Sequence, residues 1–582
     1  MMKRRSFLKS LAAGAALPSL NAESDSRPNV LIILTDDQGY GDLSCHGNPV
    51  LKTPNMDKLH AESLRFTDFH SAPMCTPTRG QLMTGLDALY NGATSVTAGR
   101  AVLRKGLPTM ADIFKANDYR TGIFGKWHLG DNYPYRPMDR GFQEAKYFFG
   151  FGLSSAPEFN NDYFNGKYRH NGKAKQFEGY CTDFWFNEAM SWMKQQQAES
   201  KQFLCYLPTN APHGPAWVDE KYAAPYRKPK LPAAFFGMVA NVDENLGKLD
   251  NFLKETGLRE NTIVIFMTDN GATAGFNVFN AGMRGRKTMI YEGGHRVPCF
   301  VRWPAGKVPA GKDVTTPAQM QDILPTLIDL LKLKNPTQAK FDGRSLENLV
   351  RGNAQDLTSR MMVVQYGQIP VKWDGCVIWE KWRLVRGEEL YDLKTDPAQE
   401  SNTAKANPEV FEKMRAHYET WWKRVEPGLK NFSPISLGSD QENPVQLCCS
   451  DWQDIYCDNP THVSEAVGGP KGGPWNVIVE RSGTYEISVY RWLPELNLPL
   501  TAGREPQQMT AGQLPAGKAL PIAAAKLTIA GLQVNAKAKA GDRSISFRLK
   551  LAAGTKTQLH AWFQDAQGND LAGAFYASVR RT

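Results

Sequence analysis

A chain of 582 residues is too long for a single hydrophobic core, so we expect two or three domains. Hydrophobic residues make up 42% of the chain and aromatic residues 11%, a composition that excludes an intrinsically disordered protein. The formal net charge of +10 suits an anionic substrate or a solvated basic surface, and since no nucleic-acid-binding module is recognisable we expect no nucleic-acid partner.

Residues 1–22 are predicted to be an export signal rather than part of the fold. Arg4 and Arg5, followed by Ser-Phe-Leu-Lys, precede a short alanine-rich apolar run, an arrangement that resembles a twin-arginine signal. The alternative is a merely basic amino terminus. Removing the segment takes away four basic residues and no acidic ones, so the net charge falls to +6. No other stretch is long and apolar enough to span a membrane, and we expect a periplasmic or secreted bacterial protein.

The first predicted strand, residues 29–34, is a continuous apolar run, as expected of a parallel strand buried on both faces. Asp36 and Asp37 follow it directly. Two adjacent carboxylates are costly there unless a cation neutralises them, and ligands of open α/β sheets bind at that end of the strands. Taken alone, the stretch is also compatible with an aspartate-rich turn.

A helix is predicted to begin at Pro54 and to continue past Leu59 toward Leu64. The stretch Cys75-Thr76-Pro77-Thr78-Arg79 comes next. Pro77 biases Thr76 away from helix, which places Cys75 in a turn or at a helix entry, close to backbone N–H groups that favour anions. Arg79 is a bidentate donor four residues on. By itself the stretch fits a nucleophile, a disulfide partner or a buried thiol.

A helix over 109–117 and a short strand over 121–124 lead to Gly125-Lys126-Trp127-His128-Leu129-Gly130. Lys126 and His128, two residues apart between glycines, can face one cavity, although an ordinary surface turn has the same composition. Residues 132–178 are rich in Asn, Gly, Tyr and Phe with little periodicity. We expect them to form long loops that line a pocket.

Two further strands end in polar groups. The strand over 203–207, after a helix over 180–194, precedes His213, which is held stiffly between two prolines. The strand over 262–267, after a helix over 238–256, is followed by Asp269 and Asn270, whose oxygens are ligands of the kind that Ca²⁺ or Mg²⁺ prefers.

Lys287 and a glycine-rich loop at 291–298 precede a strand over 299–302 and a helix over 322–333. The alternation of strands and helices predicts the fold class: an α/β domain, residues 28–350, with a large mostly parallel mixed sheet sandwiched by helices.

The pattern changes beyond residue 350. Four short strands between 361 and 392 and a helix over 409–422 predict an antiparallel β subdomain, residues 351–425. A linker rich in Pro, Gly, Ser and Asn is expected at 426–445. Alternating segments beyond it predict an accessory β-sandwich-like domain, residues 446–582, with a surface loop at 501–525.

The nine cysteines are an odd number, so at least one thiol of an exported chain is unpaired or chemically altered. Cys448, Cys449 and Cys457 cluster late in the chain. We expect either one disulfide and a spare thiol there or three reduced structural thiols. Zinc is not expected, because no C-x-x-C pairs occur.

The polar groups at these turns form one predicted constellation. Asp36, Asp37, Asp269 and Asn270 supply oxygen ligands, and Arg79, Lys126, His128, His213 and Lys287 supply cations and donors. A divalent cation and several cationic side chains around one nucleophile are typical of phosphoryl or sulfuryl transfer.

The chain resembles the type I sulfatases of the alkaline phosphatase superfamily over roughly residues 28–425. Cys75-Thr76-Pro77-Thr78-Arg79 is similar to their C-x-P-x-R pattern, and further matches follow in one order: Asp36-Asp37, Thr53-Pro54-Asn55, 125–130, Ala211-Pro212-His213, Thr268-Asp269-Asn270-Gly271, and Lys287 with Glu292-Gly293-Gly294. Two departures are Thr78, where the family often has Ser, and His295 within the Glu-Gly-Gly-x-Arg-Val-Pro stretch. Residues 446–582 more weakly resemble the carboxy-terminal β domain of bacterial carbohydrate sulfatases.

The resemblance implies that a separate maturation enzyme converts Cys75 to Cα-formylglycine, whose hydrate attacks sulfur while bound to Ca²⁺. Asp36, Asp37, Asp269, Asn270 and the modified residue 75 would bind the metal. His213 would protonate the leaving alcohol, and His128 would assist the release of sulfate. Arg79, Lys126 and Lys287 would hold the aldehyde hydrate and the sulfate oxygens.

The sequence therefore predicts a sulfuric ester hydrolase, with a sulfated carbohydrate as the expected substrate on the ground of export and family analogy. One alternative is a phosphate or phosphonate ester hydrolase of the same superfamily. Another is a catalytically silent glycan-binding protein with an unmodified Cys75. The accessory domain is expected either to shape the far side of the substrate cleft or to be a structural cap. Sugar contacts are an open possibility for Asn161, Asp162, Arg169 and His170, as is simple surface polarity.

Overall fold

The computed structural model describes residues 27–336, 340–469 and 471–582, so the predicted export signal lies outside the described residues. A ten-stranded mixed sheet forms the centre of the first domain. In spatial order its strands are Asp313–Val314, Leu64–Phe66, Cys299–Arg302, Thr262–Thr268, Asn29–Thr35, Phe203–Pro208, Arg120–Lys126, Glu144–Phe148, Lys167–His170 and Lys173–Gln176. The five central strands run parallel, which confirms the predicted α/β class.

The central strand Asn29–Thr35 is buried on both faces because helices cover both sides of the sheet. Val30 and Ile32 pack into one apolar core, whereas Leu31 and Ile33 pack into the other. The helices of this domain are Pro54–Ala61, Cys75–Thr84, Ala88–Asn91, Met110–Ala116, Cys181–Ala198, Glu220–Ala223, Ala233–Glu255, Glu292–His295, Ile323–Leu331 and Glu347–Val350. A two-stranded pair, Phe69–His70 with Ala318–Gln319, lies beside the main sheet.

The structure corrects two predictions in the first domain. Leu64 belongs to a strand and not to the preceding helix, which ends at Ala61. Residues 132–178 are not loops throughout, because three strands within them extend the main sheet. Asn171 and Gly172 both have positive φ at the tight turn of the last hairpin, so an Asn-Gly pair, a strong hairpin signal, was present in the sequence.

The predicted antiparallel subdomain is present. Its four strands, Met362–Gln365, Gly375–Trp379, Trp382–Val385 and Glu389–Asp392, pair in chain order. The helix Pro408–Val425 packs Met414, Tyr418 and Trp422 onto one face of this sheet.

The carboxy-terminal domain is a sandwich of two sheets around its own core, in which Trp452 and Trp475 are fully buried. One sheet contains Ile435–Leu437, Trp475–Val479, Lys556–Gln564, Ala524–Ile529, Leu532–Lys537 and Asp570–Gly573; the other contains Val445–Cys448, Tyr576–Arg581, Gly483–Tyr490 and Ile545–Leu551. A short helix, Pro460–Glu465, lies between the second and third strands along the chain. The prediction of a linker over residues 426–445 is wrong in part, because Ile435–Leu437 within this range is a buried strand of the first sheet.

The prediction of a surface loop over residues 501–525 is also wrong. It contains a small hairpin, Gln507–Gln508 with Gln513–Leu514, that reaches across to the first domain. Met509 and Leu514 are buried in that domain's core, and Asp162 Oδ2 accepts a hydrogen bond from the Thr510 backbone N–H at 2.9 Å. The two domains therefore share apolar contacts as well as a chain connection.

Replacing Leu514 with alanine is expected to destabilise the protein by about 2–5 kcal/mol, because it removes a buried side chain from a shared core. Leu532 lies in the same domain with 44% of its surface exposed, so Leu532→Ala is the matched control, with an expected change within about 0.5 kcal/mol. Thermal unfolding of both variants measures the difference. Equal melting temperatures of the two variants would contradict the packing of this hairpin against the first domain.

All nine cysteines are free thiols in the structure, so the predicted late disulfide is not present and the reduced alternative describes the cluster. Cys448 Sγ and Cys449 Sγ are 4.0 Å apart. Within the described ranges, we find no helix with the length and apolar character needed to cross a bilayer.

Candidate functional site

The acidic strand ends meet because their strands are adjacent and in register. Thr35 pairs with Thr268 in the parallel ladder, so the residues that follow each strand emerge side by side. The Asp37 backbone N–H donates to Asp269 Oδ1 at 3.2 Å, and Asn270 Nδ2 donates to Asp37 Oδ1 at 2.9 Å. Asp36, Asp37, Asp269 and Asn270 thus form one buried group at the carboxyl end of the sheet.

Cys75 is the first residue of the helix Cys75–Thr84, and it is 1% exposed. Met74 before it is extended, so the chain turns into the helix at the cysteine itself, as the sequence led us to expect. Arg79 lies one turn further along the helix on the same face. Gly85 ends the helix with a φ of +67°, a conformation that side chains other than glycine rarely adopt.

Two cations tie this helix to the strand ends. Arg79 Nη2 lies 2.7 Å from Asp269 Oδ2 and 3.7 Å from Asp36 Oδ2, and Arg79 Nη1 donates to the Lys126 carbonyl. Lys126 Nζ lies 2.6 Å from Asp36 Oδ2. All of these side chains are completely buried, so each charge depends on its partners rather than on water.

A third cation, Lys287, lies beside the cysteine. Its Nζ pairs with Asp37 Oδ1 and lies 3.9 Å from Cys75 Sγ. The glycine-rich turn that follows Lys287 packs against the second acidic strand end without space for side chains. A Cβ on Gly271 would lie 1.9 Å from the Gly293 carbonyl oxygen, and one on Gly294 would lie 1.9 Å from that of Met289.

The hydrogen bonds of the two histidines determine their tautomers. His128 Nε2 lies 3.1 Å from the Val96 carbonyl oxygen, which can only accept, so Nε2 carries the proton and the buried Nδ1 has a free lone pair. By the same reasoning His213 Nδ1, 2.7 Å from the Gly214 carbonyl, is protonated, and its Nε2 lies 3.8 Å from Asp37 Oδ2. Burial lowers the pKa of His213 to about 3.

The pKa values of the two adjacent aspartates are shifted in opposite directions. Burial, and then the Asp269 carboxylate, raises the pKa of Asp36 to about 8. Burial acts in the same direction on Asp37, but the Lys287 ammonium and His213 outweigh it and hold the pKa of Asp37 well below its usual range. Asp36 therefore requires a further positive charge to be ionised at neutral pH.

The residues at this position fit a divalent cation. Asp36 Oδ1 and Asn270 Oδ1 are buried without a hydrogen-bond partner. Ligand atoms of Asp36, Cys75 and Asp269 lie within 4.8 Å of one another, as do those of Asp36, Asp37 and His213. With Asp36 ionised, the three carboxylates of this group balance its three cations, so a bound divalent ion would make the site positive and attractive to an anion.

Two aromatic residues near Cys75, and a third beside the two histidines, were not named from the sequence. Tyr366 packs against Cys75 from the antiparallel subdomain, and the phenol of Tyr456, from the carboxy-terminal domain, is close enough to interact electrostatically with Cys75 and Lys287. The Phe151 ring lies 5.2 Å from the ring of His213 and 6.1 Å from that of His128. Phe151 lies in the segment 132–178 that was expected to line a pocket. No local pattern marks Tyr366 or Tyr456, because each reaches the site through a tertiary contact from a different part of the chain.

The four residues suggested for sugar contacts have partners within the protein. Asn161 Nδ2 donates to the Lys167 carbonyl, and Asp162 holds the carboxy-terminal hairpin. The Arg169 guanidinium lies over the Phe149 ring at 4.4 Å, and His170 pairs with Glu144 at 2.9 Å.

The departure at His295 does not affect the site directly. His295 is fully buried, and its Nδ1 lies 3.0 Å from His70 Nδ1. The adjacent Glu292 pairs with Arg383 of the antiparallel subdomain at 2.7 Å. This cluster joins the glycine-rich turn to the subdomain.

An α/β sheet that carries a buried cysteine, a carboxylate group suited to a divalent cation and three cations at one sheet end defines an enzyme that acts on an anionic ester. Comparison with known proteins identifies the family. The sulfatase family model matches residues 28–333, and a model of the N-sulphoglucosamine sulphohydrolase carboxy-terminal region matches residues 285–423. The chain belongs to the sulfatase family and is a type I sulfatase of the alkaline phosphatase superfamily.

Individual relatives agree with this assignment. The N-acetylgalactosamine-6-sulfatase of Canis lupus familiaris is 30% identical over 410 residues, which cover 64% of this chain and 75% of that protein. The crystal structure of Ps i-CgsB in complex with k-i-k-neocarrahexaose matches with a TM-score of 0.64 and 26% identity, and covers 70% of this chain and 95% of that one. The phosphonate monoester hydrolase of Agrobacterium radiobacter shares the fold, with a TM-score of 0.52 and 19% identity over 69% of this chain and 96% of its own.

Proposed function

We propose that this sulfatase removes sulfate from a carbohydrate, that Cys75 is converted to Cα-formylglycine by a separate maturation enzyme, and that the bound cation is calcium. The observation that carries the proposal is the position of Cys75 at a helix start, 3.9 Å from Lys287 Nζ and beside the acidic strand ends. A sulfated carbohydrate is supported by two similar proteins, an N-acetylgalactosamine-6-sulfatase and a protein solved with k-i-k-neocarrahexaose.

The chain's own residues are arranged to hold the anionic ester. Lys287 and Lys126 present ammonium groups to it, and Arg79 bonds to Asp269 and to the Lys126 carbonyl and so ties the start of the helix to the strand ends. The substrate's negative charge favours protonated His213, because an adjacent anion offsets the effect of burial. His213 is 19% exposed at its side chain, so we assign it as proton donor to the leaving alcohol.

His128 has the opposite role. Its free Nδ1 lone pair can accept a proton at residue 75, while the Val96 carbonyl fixes the ring and its tautomer. The second step of hydrolysis, the release of sulfate from residue 75, requires such a base.

Asp36, Asp37, Asp269 and Asn270 would hold the cation. Their oxygen donors match the preference of calcium for carboxylate and amide oxygens. When bound, the metal ion and the formylglycine hydrate supply an activated oxygen nucleophile and charge neutralisation.

Removal of the metal ion with a chelator is expected to lower the release of sulfate from sulfated sugars by about 100-fold or more, since Asp36 then loses the charge that keeps it ionised. Calcium should restore the rate, and magnesium should restore less. The measurement is ion chromatography of free sulfate over a panel of defined sugar sulfates, with 4-nitrophenyl phosphate as the competing substrate. Faster turnover of the phosphate ester, or full activity in excess chelator, would contradict the proposal.

Export through the twin-arginine route also belongs to this proposal and is supported by the Arg4-Arg5 pattern. Fractionation of the native host tests it: the protein is expected outside the cytoplasm, and retention in the cytoplasm would contradict it.

A further inference from the structure

One cysteine and two histidines of the first domain form a cluster that the proposed mechanism does not use. Cys45 and His46 belong to the short 3₁₀ helix Ser44–His46, and His60 belongs to the helix Pro54–Ala61. All three residues are half-buried, and ligand atoms of the three lie within 4.8 Å of one another. We call these three residues the Cys-His cluster.

Cys45 is the most accessible cysteine of the protein, because it is half-buried whereas the other eight are buried. Its backbone N–H donates to Asp57 Oδ1 at 2.9 Å, which holds the residue beside a carboxylate. Burial, and then the Asp57 carboxylate, raises the pKa of the Cys45 thiol, so a cation is needed to ionise it at neutral pH. A bound metal ion supplies that charge: the S–H bond breaks, the sulfur binds the metal, and the proton passes to water.

Both histidines of the cluster have a ring nitrogen free for a metal ion. His46 Nδ1 lies 2.7 Å from the Tyr40 carbonyl oxygen, so Nδ1 carries the proton and Nε2 has the lone pair. A backbone carbonyl that fixes one ring nitrogen in this way is typical of metal-binding histidines. Among the described residues, the His60 ring packs edge-on against His46 and Phe300 but forms no hydrogen bond. Burial lowers the pKa of His46 to about 4 and also lowers that of His60, so both rings are neutral, the form that binds metals.

The dimensions and the surrounding charges of the cluster suit a small cation. Three atoms within 4.8 Å of one another share a centre no more than about 2.8 Å from each, and zinc requires bonds of about 2.0–2.3 Å, so small side-chain rotations are sufficient. Two arginines face the histidines, and each is paired with a carboxylate. Arg65 Nε lies 2.6 Å from Asp313 Oδ1. Arg296 Nη1 lies 3.7 Å from Glu292 Oε2.

We propose that the Cys-His cluster binds one zinc ion, or a divalent transition-metal ion of the same class, through Cys45 Sγ and one nitrogen of each histidine, with water as the fourth ligand. Thiolate and imidazole select such ions, whereas the oxygen donors of the acidic strand ends suit calcium. The absence of C-x-x-C pairs does not exclude this site, because two of its ligands are histidines. The ion would connect the segment that follows Asp37 to the helix Pro54–Ala61 and stabilise the fold, so the inference does not depend on the proposed function.

The test measures zinc binding by the full-length protein, freshly reduced, without a polyhistidine tag and in excess calcium. Equilibrium dialysis with elemental analysis is expected to give one equivalent of zinc. Cobalt in place of zinc should give a thiolate-to-metal charge-transfer band in the near ultraviolet. Zinc should also raise the melting temperature by at least about 2 °C, because it binds the folded state.

Two variants and two controls locate the site. Cys45→Ala should lose the charge-transfer band and the equivalent of zinc. His60→Gln should weaken zinc binding at least about tenfold, and it keeps the test decisive if Cys45→Ala does not fold, as judged by circular dichroism. Cys205→Ala removes a buried thiol of the central sheet, and His417→Gln removes a histidine of the helix Pro408–Val425. Both controls should bind zinc as the wild-type protein does.

Absence of zinc binding by the reduced wild-type protein, or a charge-transfer band that persists in Cys45→Ala, would overturn this inference. The band should remain in Cys75→Ala, which shows that the sulfur of the catalytic site is not its source, and its loss there would also contradict the site. None of these readouts requires sulfate release. Failure of this inference and failure of the proposed function are therefore distinguishable.

Discussion

Replacing Cys75 with alanine is expected to abolish sulfate release, with kcat/KM lowered at least about 10⁴-fold. Alanine has no Cβ–S bond for the maturation enzyme to replace with the aldehyde C=O, so no nucleophile can form, and the remaining cations can bind an ester but cannot attack it. The helix Cys75–Thr84 and its ion pairs do not depend on the sulfur, so the fold should persist. Steady-state release of sulfate from 4-nitrophenyl sulfate and from a sugar sulfate measures the loss.

Cys205→Ala is the matched control for this variant. Cys205 is also fully buried, but it lies within the central strand Phe203–Pro208 and packs into the apolar core. The control should cost about 1–2 kcal/mol of stability and retain wild-type turnover per folded molecule. Substantial activity in Cys75→Ala would show that residue 75 is not the source of the nucleophile.

Replacing Asp269 with asparagine is expected to destabilise the protein by about 3–5 kcal/mol and to remove activity as well. The change is nearly isosteric but leaves the Arg79 guanidinium, completely buried, without its partner at 2.7 Å. The same carboxylate belongs to the proposed metal-binding group, so the stability and the metal affinity fall together. Thermal unfolding and calcium titration measure the two effects.

Asp313→Asn is the control for a carboxylate that pairs with arginine at the surface. Asp313 lies 2.6 Å from Arg65 Nε, but its side chain is 51% exposed, and such pairs contribute about 0–1 kcal/mol. If Asp269→Asn melted no lower than Asp313→Asn, the buried ion pair would not have the structural role assigned to it.

The central part of the fold could be predicted because the apolar pattern of its strands matches their burial in the middle of the sheet. The apolar runs at 29–34 and 262–267 are readable as doubly buried strands, and parallel pairing necessarily brings Asp36 and Asp269 to the same sheet end. The Cys75 stretch was not interpretable from its neighbours alone. The metal-ligand oxygens and the cations predicted at the other turns are what indicate a nucleophile at Cys75.

The missed features depend on contacts that no local pattern encodes. The hairpin containing Met509 and Leu514 lies in a segment rich in Ala, Gly and Pro, and only the apolar surface of the other domain explains why these two residues are buried. Tyr456 reaches the site because the carboxy-terminal sandwich is fixed against the first domain. The expected late disulfide had cysteine spacing as its only support, and spacing does not determine whether sulfur atoms bond.

The carboxy-terminal domain and the first domain each contribute side chains to the other's core. It contributes Met509 to the core of the first domain, while Ala156 and Phe159 of the first domain pack into its own core. Ser450, Asp451 and Asp458 of this domain also line a crevice beside His128. Truncation would expose both cores, so single substitutions are the appropriate way to test its contribution to substrate choice.

The chemical state of residue 75 tests the central claim most directly. Trypsin cleavage after Arg65 and Arg79 gives a peptide, residues 66–79, that contains Cys75 as its single cysteine. Mass spectrometry of active protein, produced together with a formylglycine-generating enzyme, should show this peptide with an aldehyde in place of the thiol and unreactive toward thiol alkylation. An active preparation in which Cys75 is completely alkylated as a thiol would contradict the account.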